Sequence, residues 1–256
     1  MTERKSGVTL FVKAGWDGKA LGACHQSQRV LMLAKLKFAA GVLPSLESIP
    51  VNVSRPPQVF CELGLRLRVP ALCLGIDIEP IDVADDIVSS LEEYYPGGVL
   101  IQNEVTEATV ATRDFFSRFC FFIRDVSKNS SHLESELHHL DDFLKSTDYK
   151  FLCGNSPSLL DCEVLPKLHQ VRVASSGIKG YEIPSSFSSL WRYLHTAYSE
   201  PAFVESCPSD TEILLHWLEH VGESSSKLQK QLLTSYKKPP KYSFSVPVFA
   251  RCAVVE

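Results

Sequence analysis

The chain changes character near residue 97, and no other feature limits its folds as much. Before that point short apolar runs alternate with helical patterns. Residues 8–13 read as a strand, 28–38 as an amphipathic helix and 51–53 as extended chain. Ala71-Leu-Cys-Leu74 reads as a further strand that turns at Gly75 into Ile76-Asp-Ile78, and a helix follows over about 82–94. Tyr95-Pro-Gly-Gly98 then reads as a linker, because Pro and two Gly end a helix and free the backbone. Beyond it nearly everything carries helical spacing. Residues 104–126 place Val110, Phe115, Phe119, Phe122 and Val126 on one stripe, and Leu133, Leu137, Leu140 and Leu144 form another. Both stripes read as core faces before ligand boxes.

Strand, helix, strand, hairpin, helix is a thioredoxin-like order, and it gives Cys24 its meaning. That cysteine follows the first strand and a Gly-bearing loop and directly precedes the first helical pattern, in Cys24-His-Gln-Ser27. A helix start presents unpaired N–H groups and about half a positive charge, both of which favour thiolate over thiol. The position therefore predicts a nucleophile, with an inert buried cysteine as the alternative. Pro70 is the second informative residue. A cis Val69–Pro70 bond would direct the Val69 N–H and C=O toward a bound thiol peptide, whereas a trans proline would simply begin the strand. The third is Ser158-Leu-Leu-Asp161, a capping box with Asp in the place more often held by Glu. It supports a helix start and is assigned no chemistry.

With 256 residues and 45% hydrophobic content, the chain can bury a substantial core as one large or two medium domains. A net charge of −4 with scattered Lys and Arg leaves no basic footprint, so no nucleic acid partner is expected. The first residues lack the apolar core of a signal peptide. Eight irregularly spaced cysteines suit neither a disulfide framework nor paired zinc ligands. A reducing, cytoplasmic compartment is expected, in which the sequons at Asn52-Val-Ser54 and Asn129-Ser-Ser131 are chance matches. Glu134, His138 and Asp142 share a helix face at i, i+4, i+8, a spacing open to a metal. A solvated face with i, i+4 pairing is cheaper, and no metal is expected.

Several segments resemble the chloride intracellular channel family, which is similar to omega-class glutathione transferases. They are Phe11-Val-Lys-Ala-Gly15, Gly22-Ala-Cys-His-Gln-Ser-Gln-Arg29, Phe151-Leu-Cys-Gly-Asn155, Asp161-Cys-Glu-Val-Leu-Pro-Lys-Leu-His169, Ile183-Pro184, Arg192-Tyr-Leu194 and Cys207-Pro-Ser-Asp210. The likeness keeps its order from about residue 8 to 220 and is weakest over residues 41–67. It implies a glutathione-transferase fold, α/β followed by all-α: a thioredoxin-like domain over residues 1–96, an all-helical domain over 99–221 and an extension over 222–256. As in invertebrate members, the acidic loop before the Phe-Leu-x-Gly motif is absent, with Lys145-Ser-Thr-Asp-Tyr149 in its place. The extension has room for a short helix through Leu232-Leu233, and it either packs on the helical domain or stays mobile.

The resemblance also implies a site. Cys24 with Ser27 corresponds to the family's Cys-x-x-Ser, suited to monothiol exchange with glutathione because serine cannot resolve a disulfide. Lys13 would lie near the nucleophile, and Val69 and cis Pro70 would bind the glutathione backbone. An acid at the start of the next helix would meet its amine, with Asp82 the candidate and Asp77, Asp85 and Asp86 its rivals. His25 either lowers the acidity barrier of Cys24 as a partly protonated imidazole or stands free in solvent. Gly64 occupies the place where some relatives carry a partner cysteine, and Cys61 is out of register, so no internal disulfide is expected. Ala174-Ser-Ser-Gly-Ile-Lys-Gly180 replaces the basic run some relatives use for nuclear import.

The family's name implies a second activity, membrane insertion and chloride conduction through roughly residues 24–53. That stretch holds Arg29, Lys35, Lys37, Pro44, Glu47 and Pro50, so insertion would require refolding of the N-terminal domain. The expectation is a soluble monomer that binds glutathione, performs thiol chemistry at Cys24, and associates conditionally with lipid membranes to conduct chloride. The alternative is a purely soluble omega-like thiol transferase or dehydroascorbate reductase.

Overall fold

The computed structural model describes residues 7–75, 78–101, 106–221, 226–236 and 238–248. It begins with β1 (Val8–Lys13), the centre of a three-stranded sheet of order β2-β1-β3. β2 (Leu46–Val51) runs parallel to β1, setting Phe11 against Ile49 and Lys13 against Val51. β3 (Ala71–Cys73) runs antiparallel on the other side. The central position of β1 suits its sequence, since Val8, Leu10, Phe11 and Val12 are all buried, as a strand covered on both faces requires.

Two sequence expectations shift here. The second strand spans residues 46–51 rather than 51–53 and contains Pro50; at the sheet edge a residue without an N–H is tolerated. The partner of β3 lies later than the 76–78 run. Leu72 N–H donates to the Ile81 carbonyl at 2.8 Å and Ile81 N–H returns the bond at 3.0 Å. Ile76 and Asp77 lie outside the described residues.

Three helices accompany the sheet: α1 (His25–Ala39), the short α2 (Gln58–Cys61) and α3 (Ala84–Tyr94). α1 packs on β1 and β2 and also on α3, so its apolar residues from Val30 to Leu36 are buried on more than one side. Lys37, near its end, is fully buried. Its ammonium lies 2.8 Å from Glu92 on α3 and donates to the carbonyls of Tyr95 at 2.7 Å and Gly97 at 2.8 Å. One buried cation thereby ties α1 to α3 and to the turn that follows.

The helical part comprises α4 (Glu107–Thr112), α5 (Phe115–Ile123), α6 (Ser131–Ser146) and α7 (Leu159–Ala174), which runs into a π-helical turn, Ser175–Lys179. α8 (Ser188–Tyr198), α9 (Pro201–Val204), α10 (Asp210–Leu218) and α11 (Ser226–Ser235) complete it. The predicted single helix over 104–126 breaks at Arg113-Asp114. The break shifts the helical phase, so Phe115, Phe119 and Phe122 are buried while Val110 is 55% exposed; Val126, 70% exposed, lies beyond the end of α5 at Ile123. Leu133, Leu137, Leu140 and Leu144 of α6 are all buried.

α7 is the central helix, buried nearly all round and packed against α1, α5 and α10. Its start is fixed by Ser158 and Asp161. Ser158 Oγ accepts from Asp161 N–H at 3.2 Å, while the Asp161 carboxylate accepts from Ser158 N–H at 2.8 Å, Leu152 N–H at 3.0 Å and Tyr193 O–H at 2.7 Å. The thioredoxin-like unit meets the helical one chiefly where α1 lies on α7 and α9. The described part of the extension also packs back: Asp210 N–H donates to the Lys241 carbonyl at 2.9 Å, Phe244 lies against His169 and Tyr198, and Val246 is buried. Among the described residues no helix is long and apolar enough to cross a membrane.

Candidate functional site

Cys24 is the N-cap of α1, with extended backbone, and its Sγ accepts from Ser27 N–H at 3.5 Å. It thus occupies the place where Ser or Asp usually satisfies a free helix N–H. The thiol is half-buried. Ser27 is buried, and its Oγ accepts from Lys13 N–H at 3.1 Å, bracing the helix start against the end of β1. Lys13 extends its ammonium to the Ala23 carbonyl at 3.4 Å and to His216 Nδ1 at 3.3 Å. Burial, reinforced by the Lys13 charge, holds His216 down to about 3, so the imidazole is neutral and can accept this bond.

Lys13, Ala23 and His216 line a cleft of about 590 Å³. One wall is Lys13 to Trp16 with Ala23; a second is Val51 to Ser54; a third is Leu67 to Val69; and α10 closes the fourth with Glu212, Leu215, His216 and Glu219. Cys24 is next in sequence to the lining residue Ala23. The Val69–Pro70 bond is cis, with Val69 on the cleft wall and Pro70 buried behind it.

The acid candidates separate. Asp82 pairs with Arg68 at 2.8 Å, and that contact holds its carboxyl below the usual range; Arg68 itself is on the cleft wall. Asp85 pairs with Arg29 at 2.7 Å, and Asp86 is exposed in the first turn of α3. Asp77 lies outside the described residues. α3 begins at Ala84 with Val83 as its cap, so Asp82 precedes the helix rather than opening it.

His25 fits neither reading made from the sequence. It is half-buried against Phe116, with ring centroids 4.9 Å apart. Burial and the nearby Lys167 hold it down to about 4, so it carries no charge near neutral pH. The seven described cysteines are all free. On the face considered for a metal, His138 Nδ1 lies 2.9 Å from Asp142, and burial, with the Glu134 carboxylate adding to it, pushes the nearby Tyr181 phenol up. Among the described residues no cluster of three His, Cys, Asp or Glu is placed to hold a metal.

Glu212 and His216 were not singled out from the sequence. Both carboxylate oxygens of Glu212 accept from Trp16 N–H, at 2.9 and 3.1 Å, and Tyr236 O–H donates to Oε1. Burial pushes the Glu212 carboxyl up from its ordinary value against these bonds. A signal was present in Ser209-Asp-Thr-Glu212, a Ser-x-x-Glu spacing that marks a helix start, and Ser209 Oγ does accept from Glu212 N–H at 3.4 Å. Glu212, His216 and Glu219 then follow at i, i+4 and i+7, on one helix face. The spacing places them together without saying that they face Trp16.

Comparison with known proteins agrees with this architecture. Residues 6–94 match the model of the CLIC-like N-terminal domain, and residues 126–196 match that of the glutathione S-transferase C-terminal domain. The chloride intracellular channel exl-1 of Caenorhabditis elegans is 36% identical over 199 residues, 76% of this chain and 80% of that protein. The crystal structure of the CLIC homologue EXC-4 from the same organism superposes with a TM-score of 0.82 at 24% identity, covering 98% of this chain and 97% of the other. Dehydroascorbate reductase of Chlamydomonas reinhardtii superposes with a TM-score of 0.70 at 25% identity, covering 84% and 99%.

Proposed function

The chain belongs to the chloride intracellular channel family, with a glutathione-transferase fold, and from that premise we propose that it is a glutathione-dependent thiol–disulfide oxidoreductase acting through Cys24. The single observation that carries the reading is the placement of Cys24 as the cap of α1, next in sequence to Ala23, which lines the 590 Å³ cleft. A thiolate there receives the Ser27 N–H and the positive end of α1. It attacks the glutathionyl sulfur of a mixed disulfide, forming a Cys24–glutathione disulfide and releasing the other thiol as a thiolate that takes a proton from water. A second glutathione thiolate then attacks the glutathionyl sulfur on Cys24, releases glutathione disulfide and restores the Cys24 thiolate. Ser27, buried and bonded to Lys13 N–H, cannot act as a resolving group.

In the same reading Val69 offers its main chain to the glutathione backbone beside Pro70, Lys13 stands near the nucleophile, and Asp82 receives the glutathione amine. Asp82 would do so by exchanging or sharing its bond to Arg68. The test is turnover of a small glutathione mixed disulfide by the purified chain and by Cys24→Ala: loss of turnover in the variant is expected, and equal turnover would refute the assignment.

Membership of the channel family favours a second activity, conditional association with membranes and chloride conduction by the otherwise soluble, cytoplasmic monomer. The described helices contain no span, so this activity needs α1 and its neighbours to leave the packing seen here. Chloride efflux from sealed anionic vesicles tests it. Efflux that depends on added protein supports the reading, and its absence at neutral and acid pH leaves the soluble chemistry as the function.

A further inference from the structure

We propose that the C-terminal extension braces one wall of the cleft, with Tyr236 as a positioning residue that acts through Glu212 on the loop carrying Trp16. The inference rests on reading the cleft as the glutathione site. Three observations converge on it. Glu212, on the cleft wall, accepts from Trp16 N–H with both oxygens and from the Tyr236 hydroxyl with one. Gly15 lies directly against that carboxylate: a Cβ there would stand 2.4 Å from Oε1 and 2.7 Å from Cδ. The loop and the carboxylate are therefore fitted to each other with no slack. Trp16 itself is 52% exposed on the cleft wall, so its ring is held by its backbone rather than by burial.

The extension is anchored a second time at the same end of α10, apart from its contact with Glu212. The Asp210 carboxylate accepts from Ser243 N–H at 3.0 Å and Ser243 O–H at 2.5 Å, and Asp210 N–H donates to the Lys241 carbonyl at 2.9 Å. Tyr236 thus lies between α11 and an anchored strap, with its phenol directed at the carboxylate that holds Trp16. Docking of the extension and occupancy of the cleft are then linked, and by reciprocity each strengthens the other.

The test uses the full chain. Hydrogen exchange at the Trp16 amide is measured without ligand in the wild type, Tyr236→Phe and Ser243→Ala; the last removes one bond to Asp210 and none to Glu212. Tyr236→Phe is expected to speed Trp16 exchange at least fivefold with an unchanged melting temperature, and Ser243→Ala to leave it unchanged. No acceleration in Tyr236→Phe, or equal acceleration in both variants, would overturn the proposal. Reduced glutathione is then titrated. Affinity weakened at least threefold in Tyr236→Phe supports the link, and unchanged affinity overturns it. A wild-type chain that binds no glutathione refutes the glutathione reading alone, and the exchange comparison still decides the role of Tyr236.

Discussion

Replacing Lys37 by Met should unlock the helix that carries Cys24. The Lys37 side chain is wholly buried, and its ammonium lies 2.7–2.8 Å from the Glu92 carboxylate and from two backbone carbonyls. Methionine fills similar volume but leaves the largely buried Glu92 carboxylate without its counter-charge. Breaking a buried pair from one side costs about 3–5 kcal/mol, because the desolvated partner charge remains. At roughly 2–4 °C per kcal/mol for a chain of this size, the melting temperature should fall by roughly 6–20 °C. With a urea slope of about 3 kcal/mol/M, the midpoint should fall by about 1–1.7 M. The assay is urea unfolding followed by both circular dichroism and tryptophan fluorescence, whose coincidence checks that one transition is being read. The double variant Lys37→Met/Glu92→Met removes both charges and should lose less than the two single losses added, with a coupling of about 2–3 kcal/mol. A single-variant loss below about 1 kcal/mol, or strict additivity, would refute the argument that this pair fastens α1.

Three further outcomes follow from the same geometry. Asp161→Ala strips the carboxylate from Ser158, Leu152 and Tyr193 and should cost about 3–5 kcal/mol in thermal or urea unfolding, whereas an exposed carboxylate would cost little. His25 is held at about 4, and His169 and His216 at about 3, all by burial, so the native state binds fewer protons than the unfolded chain. Stability should therefore be full above pH 6.5 and fall as pH drops toward 4, by about 1.4 kcal/mol per pH unit for each imidazole, and a urea midpoint unchanged between pH 7 and 5 would contradict this. Gly15→Ala drives a Cβ into Glu212 and should raise the glutathione KM several-fold with little change in kcat, read by steady-state turnover.

Much of this architecture is legible in the sequence because it rests on local signals. A strand, a Gly-bearing loop and a helical pattern bracket Cys24, and Ser158 and Asp161 stand at capping-box spacing. What escaped depends on residues distant in the chain. The break at Arg113-Asp114 and the end of α5 at Ile123 sit inside a run whose periodicity looks continuous, so Val110 and Val126 do not share the face of the phenylalanines. The second strand runs over 46–51 and includes Pro50, which the sheet edge permits. The neutrality of His25 comes from Phe116 and Lys167, about 90 and 140 residues away, which no local pattern reports. Glu212 shows the same limit most plainly. Its spacing from Ser209 marks a helix start, but its function in the cleft is set by Trp16, 196 positions earlier, and by Tyr236 beyond it.

The central claim is that Cys24, among eight cysteines, is the thiol that exchanges with glutathione. Incubating the purified chain with glutathione disulfide, then measuring intact mass and mapping peptides, tests it most directly. The account predicts a single glutathionyl adduct on Cys24, removed by reduced glutathione and absent from Cys24→Ala. An adduct that forms instead on the exposed Cys61, or persists unchanged in Cys24→Ala, would contradict it.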